Sequence, residues 1–283
     1  MAERFNFDGH IHCPPYRIEK LVSLAIDRGL DALCITERVP RVSSYTGNFD
    51  NFDLVKKNED NEGNRVLNPK NWDIEKVSPL VLKLTNEQGF LYLLRGGEVH
   101  VKQGDLLTFG IKENTFQNKD ITEVLKEVDK QGGIAVFPHL YSAGCGERVF
   151  RYIYQHYPIY LTGLEINGQF PKYGLIPKFK TNLKVKNLVK QINAPLFGFS
   201  DIHAHYLWEH KRIGKLYYSS FLKELIDTKY LLESFKEIMI NHKEKIEIKG
   251  HAGSTIRSIA WKAHSVARDP KGNAGDLFRL ITN

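Results

Sequence analysis

The sequence predicts an α/β chain built on a parallel sheet, and three observations near the N-terminus carry that prediction. Phe5 and Phe7 alternate with polar residues as far as His12, and Cys13-Pro14-Pro15 then ends the run, which reads as a strand. Arg17 to Arg28 places Ile18, Leu21, Val22, Leu24, Ala25 and Ile26 at helical spacing, and Gly29 stops it. Leu30 to Thr36 is a short apolar run of the kind buried in parallel sheets. Strand, helix and strand in that order predict strand-helix units.

The same rhythm continues after an interruption. Residues 38–72 are rich in Asn, Asp, Gly and Lys and lack a clear period, which suggests a lid-like excursion over the site. A helix is expected over Asp73–Glu87, then strands over Phe90–Leu94 and Gly104–Gly110. Asp120–Gln131 reads as a helix, Ile134–Phe137 as a strand, and Glu147–Tyr157 as the region of another helix. The strands Leu161–Ile166 and Leu196–Phe199 flank a helix near Phe179–Ile192. Weaker signals run to Lys249, and in the tail of 250–283 Ser254 could cap a helix reaching Arg268. One domain over 1–249 with a helical tail is the expected organisation.

Composition narrows the class. A chain of 283 residues with 42% hydrophobic content can bury a full core. Cys13, Cys34 and Cys145 are an odd count without a Cys-x-x-Cys pair, which argues against a disulfide framework and for a reducing compartment. There is no apolar leader and no run long enough to span a bilayer, so a cytoplasmic protein without a membrane partner is expected. The formal charge of +7 favours anionic partners such as phosphorylated metabolites or nucleic acid, although no basic run is interleaved with aromatics.

The residues that carry chemistry recur at strand ends. His10 and His12 are two apart on a strand and therefore share a face. Glu98, His139, Glu165, and Asp201 with His203 lie at or just beyond the ends of further apolar runs. Catalytic groups of α/β barrels collect at the C-terminal ends of strands. Imidazole nitrogens and carboxylate oxygens together suit zinc, manganese or iron. Glu98 is the best candidate to bridge two ions, because Gly96 and Gly97 let the backbone pass close to a crowded centre.

The segments FDGHIH, YRIEKLVSLAIDRGLDALCITE, GGEV, GDLLTFGI, GGIAVFPHL, LEINGQF and GFSDIHAH occur in the order found in the polymerase and histidinol phosphatase (PHP) family, which the chain resembles over roughly residues 5–217. The resemblance implies a distorted TIM-like (β/α)7 barrel, two or three divalent ions and hydrolysis of phosphoesters. It carries the metal-ligand positions onto His10, His12, Glu98, His139, Asp201 and His203, with Glu165 and Asn167 lining the same face.

Three departures from the family pattern matter. HCPPYRIEKL is a shortened first loop that lacks the acidic residue or histidine with which the family's loop helps bind a third metal. Thr36-Glu37-Arg38 stands where the family has Thr-Asp-His, so arginine replaces a third-metal histidine. Asp105 stands where a histidine is usual and can still bind a metal. The expectation is therefore two ions held by His10, His12, Glu98, His139 and Asp201, with Asp105 as an extra ligand. His203 is then a remnant of the third position or a general acid/base. Arg38 cannot ligate but could hold a phosphate bidentately; Lys102, Lys211 and Arg212 are further cationic candidates. His100 and His205 either support the ligands from outside or are surface histidines.

A metal-dependent phosphatase acting on a small phosphorylated substrate is the leading expectation. A nuclease of the same family and a catalytically silent metal-binding module are the alternatives.

Overall fold

A computed structural model describes residues 2–36, 51–59, 63, 65–112, 119–141, 145–168, 181–204 and 209–251. Strand β1 (Arg4–His12), helix α1 (Ile18–Asp27) and strand β2 (Ala32–Ile35) form the opening unit. Helix α2 (Asn51–Lys57) follows, then strands β3 (Asp73–Ser78), β4 (Val81–Asn86), β5 (Gly89–Leu94), β6 (Gly96–Val101) and β7 (Gly104–Phe109). Next come α3 (Ile121–Lys130), β8 (Ile134–Phe137), α4 (Gly146–His156), β9 (Thr162–Asn167), α5 (Thr181–Ile192) and β10 (Leu196–Phe199). The described chain ends with β11 (Ile202–His203), β12 (Tyr218–Leu222), α6 (Leu231–Asn241) and β13 (Glu247–Lys249).

The expected TIM-like (β/α)7 barrel is not formed. Among the described residues the strands make two sheets, one of eight strands and one of five, without a closed barrel. The larger has the order β13-β12-β1-β2-β5-β4-β3, with β11 also against β1; the smaller has the order β10-β9-β8-β7-β6. Two local choices keep the ladder open. The free edge of β5 is taken by β4 in an antiparallel hairpin, so the chain leaves for the second sheet at Arg95. The N-terminal half of β1 is taken by antiparallel β12. β10 then meets this sheet through side chains: the Gly198 amide donates to Ser219 Oγ at 3.1 Å, and the Ser200 amide to Asp8 Oδ1 at 3.0 Å.

The helix expected over Asp73–Glu87 is instead the β3–β4 hairpin. Pro79 sits in the middle of that stretch, where it would remove a helical hydrogen bond and clash with the preceding turn. As a hairpin, Leu82 and Leu84 bury on one face, and Ser78 Oγ accepts from the Leu80 amide at 3.2 Å across the turn. The sheets are also mixed rather than parallel: β7 runs antiparallel to both β6 and β8. Helices α3, α4 and α5 fall where the apolar spacing places them, and Asp120 caps α3 by accepting from the Thr122 amide.

Parts of the excursion are core. Phe52, Leu54, Val55, Val66, Leu67 and Trp72 join the apolar cluster of α1 and β2. Residues 37–50, with Glu37 and Arg38, lie outside the described residues, as does the tail beyond His251.

The two sheets enclose an aromatic core that seats the histidine strand. Phe7, Phe109 and Phe199 contact one another edge to face at 5.5–5.9 Å, and Phe235 of α6 closes on Phe7 at 4.8 Å. Gly9 lies against these rings: a Cβ there would stand 2.8 Å from Phe199 Cζ and 3.0 Å from Phe109 Cζ. Gly9→Ala is therefore expected to destabilise the protein by about 1–3 kcal/mol, read from urea denaturation, because the well-packed rings must shift.

Candidate metal centre

The chain crosses between its two sheets at Ser200-Asp201, and the histidines of β1 meet that crossing. β1 carries a register shift between Asp8 and Ile11, an irregularity of the type that re-aims side chains near functional sites. Beyond it His12 lies in register with His203 of β11. His10 Nε2 and His12 Nε2 approach to 3.2 Å. Glu98 enters from the interior of β6 and His139 from just beyond β8. Asp105 arrives differently from expectation: it lies near the start of antiparallel β7, opposite His100, and so reaches the same edge from the other strand direction.

Four buried or nearly buried groups of three ligand-type side chains result: His10, His12 and Glu98; Glu98, Asp105 and His139; His10, His139 and Asp201; His12, Asp201 and His203. Glu98 belongs to the first two. Its Oε2 stands 3.4 Å from His12 Nε2 and its Oε1 3.1 Å from His139 Nε2. Asp201 Oδ1 lies 3.4, 3.6 and 3.5 Å from nitrogens of His10, His12 and His203. Two nitrogens on one tetrahedral ion at about 2.0–2.1 Å would stand roughly 3.3 Å apart, close to the spacing of His10 and His12. The oxygen and nitrogen donors and their spacing fit divalent metal ions.

The electrostatics ask for positive charge. Burial disfavours a charged His10, but the carboxylates of Asp201, Glu165 and Glu98 outweigh it and hold the imidazole pKa at about 10. Burial likewise opposes a charged His139, and the hydrogen bond and charge of Glu98, with Asp105 and Asp201, raise it. Burial would raise Asp201, yet His10, His203 and His139 bring it below the usual carboxylate range.

Outer residues fix these groups. Glu165 Oε1 lies 2.7 Å from His10 Nδ1, which directs Nε2 into the cluster. Its Oε2 accepts from the His139 amide at 2.8 Å. That bond secures an uncommon backbone, since His139 has φ +31° and Asp201 has φ +51°, both in the region that favours glycine. Asn167 Nδ2 donates to Glu165 at 3.1 Å and to Asp201 Oδ2 at 2.8 Å, leaving Asp201 Oδ1 toward the histidines. His100 Nδ1 lies 2.8 Å from Asp105 Oδ1, which makes His100 a support for that carboxylate. Cys145 offers no nucleophile: burial, then the nearby Asp105 charge, push its thiol up to about 12.

Asp8 escaped the sequence reading. It is fully buried, accepts from the Ser200 and His10 amides, and leaves Oδ2 without a hydrogen-bond partner. Burial, only partly offset by those bonds, pushes its carboxyl up to about 7. Alternation could not have placed it, because β1 shifts register between Asp8 and Ile11 and the period of two is broken between Asp8 and the histidines. Arg38 and His205 lie outside the described residues. Of the other cationic candidates, Lys102 and Lys211 are exposed and Arg212 is buried. No helix of the described residues is long and apolar enough to cross a membrane.

No family model matches the chain. Over 109 residues it is 26% identical to an uncharacterized protein of Methanocaldococcus jannaschii; the match takes in 38% of this chain and spans 59% of that relative's length. Among solved structures, PsfC from Pseudomonas syringae PB-5123 superposes with a TM-score of 0.61 at 12% identity, covering 94% of this chain and 99% of that one. The lesion-specific endonuclease PfuEndoQ from Pyrococcus furiosus superposes with a TM-score of 0.51 at 13% identity, covering 87% of this chain and 58% of that one. At these identities the likeness is one of fold.

Proposed function

We propose that the chain is a PHP-type metal-dependent hydrolase that cuts phosphodiester bonds of nucleic acid. The observation that carries this reading is Glu98, a buried carboxylate shared by two ligand groups that draw on both sheets. The fold likeness to an endonuclease and the formal charge of +7 favour nucleic acid over the small phosphorylated metabolite that the motifs first suggest.

His10, His12, Glu98 and Asp201 would hold one ion, and Glu98, Asp105 and His139 the other. When bound, such ions lower the pKa of water toward neutrality and neutralise phosphoryl oxygens. The chain's own residues set the stage. Glu165 and Asn167 fix which atoms of His10 and Asp201 face the centre, and His100 does the same for Asp105. His203, mostly buried beside His12 and Asp201, would hand a proton to a leaving oxygen.

Metal uptake should release protons. Without an ion the carboxylates keep His10 protonated at neutral pH, and a ligating imidazole must be neutral. Lowering the pH therefore favours the proton over the metal. Titration calorimetry in buffers of different ionisation enthalpy should show proton release, and manganese affinity should fall by up to about tenfold per pH unit for each proton displaced.

The function is tested with manganese-loaded protein and labelled oligonucleotides: single-stranded, duplex, and duplex with a lesion. Cleavage that chelator abolishes is the expected result. Turnover of a small phosphomonoester, with every oligonucleotide left intact, would overturn the nucleic-acid reading.

A further inference from the structure

The shortened loop after the histidine strand carries an aromatic arm in place of metal ligands. Pro14 is extended at φ −68° and ψ 151°, and Pro15 opens a single 3₁₀ turn over Pro15–Arg17. Two successive prolines restrict the backbone, so Tyr16 is presented on a stiff support. Tyr16 is 73% exposed, although tyrosine burial is ordinarily intermediate. The Arg17 guanidinium stands 5.4 Å from the ring centroid, and Arg17 Nη1 donates to the Ala204 carbonyl at 2.8 Å. The Ala204 amide in turn donates to the His12 carbonyl at 2.6 Å. The arm is thus bonded to the two strand ends that carry His12 and His203, whose rings are 4.4 Å apart.

Another exposed aromatic under a cation, one of those among the described residues, serves as a comparison. Phe90 is 47% exposed with Lys83 Nζ 5.1 Å from its ring centre. It lies at the start of β5, which runs parallel to β2 and hence to β1, so it sits at the opposite end of the sheet from His12. Of these two pairs it is Tyr16–Arg17 that adjoins the ligand cluster, through Ala204 and His12.

We propose that Tyr16, with Arg17 beside it, is a stacking platform for an unpaired nucleobase next to the scissile phosphate. Every base has a π-face, so the platform would select unstacked nucleic acid rather than a sequence, while the neighbouring guanidinium adds charge favourable to the backbone. The preformed arm keeps the ordering cost of stacking low. This inference rests on the nucleic-acid reading above and narrows it to substrates with a single-stranded stretch or an extruded base.

The test measures binding of a fluorescent, mixed-sequence single-stranded oligodeoxynucleotide to the manganese-loaded full chain, with calcium replacing manganese if cleavage interferes. Tyr16→Ala should weaken binding about tenfold or more, whereas Tyr16→Phe should stay within about twofold of wild type. Phe90→Ala should bind as wild type does. If wild type cleaves the oligonucleotide and Tyr16→Ala binds it equally well, the platform is refuted and the nucleic-acid reading stands. If Tyr16→Phe loses as much as Tyr16→Ala, the hydroxyl and not stacking is responsible, which also refutes it. A wild type that neither binds nor cleaves any oligonucleotide overturns both.

Discussion

Replacing Glu98 by glutamine is expected to lower hydrolysis by on the order of a thousandfold, beyond the roughly ten- to hundredfold that outer-support substitutions cost. Glutamine keeps the volume of a side chain that is 1% exposed, so the fold should survive. The change removes the negative charge and turns one of the two oxygens into an amide nitrogen, which donates and cannot ligate. Because Oε1 faces His139 and Oε2 faces His12, one substitution weakens both ligand groups together. Thermal unfolding separates this from simple damage. Metal at a hundredfold excess over its dissociation constant should stabilise wild type by about 2.7 kcal/mol, or roughly 5–10 °C, and that gain should largely vanish in Glu98→Gln. A variant that keeps the full metal-induced shift would show that Glu98 is not shared between ions.

Glu165→Ala should have the next largest effect, through two routes. It removes the acceptor for His10 Nδ1 and for the His139 amide, and one of the two acceptors of Asn167 Nδ2. These groups are buried, and a buried donor left unpaired costs about 1–3 kcal/mol, so a loss of roughly 2–4 kcal/mol in urea denaturation is expected. The second route is affinity. Without Glu165 the His10 ring can turn and the φ +31° backbone at His139 loses its anchor, so manganese should bind about ten- to a hundredfold more weakly. Glu165→Gln, which keeps one carbonyl acceptor, should fall between wild type and alanine in both readouts. Unchanged metal affinity in Glu165→Ala would mean that His10 is held by other contacts.

Much of the centre was legible because ligand-type residues end apolar runs. His10 and His12 follow the alternation of β1, His139 follows β8, and Asp201 follows β10. The direction of β7 was not legible: GDLLTFG reads the same as a parallel or an antiparallel strand, and only pairing with β6 and β8 decides it. That the strands form two sheets rather than one barrel was not legible either, because the seam between them depends on contacts such as Ser219 to Gly198 and Asp8 to Ser200, the latter 192 residues apart. The β3–β4 hairpin was readable and was missed, since Pro79 alone argues against the helix. Glu165 could be placed on the right face, but its grip on His10 and on the His139 backbone depends on tertiary distances that spacing does not encode.

The most direct measurement is metal content per chain, by equilibrium dialysis and elemental mass spectrometry, for wild type and Glu98→Ala. Two divalent ions per wild-type chain, falling below one in Glu98→Ala, is the result predicted for a shared carboxylate. No tightly held divalent ion in wild type, or two ions retained without Glu98, would contradict it.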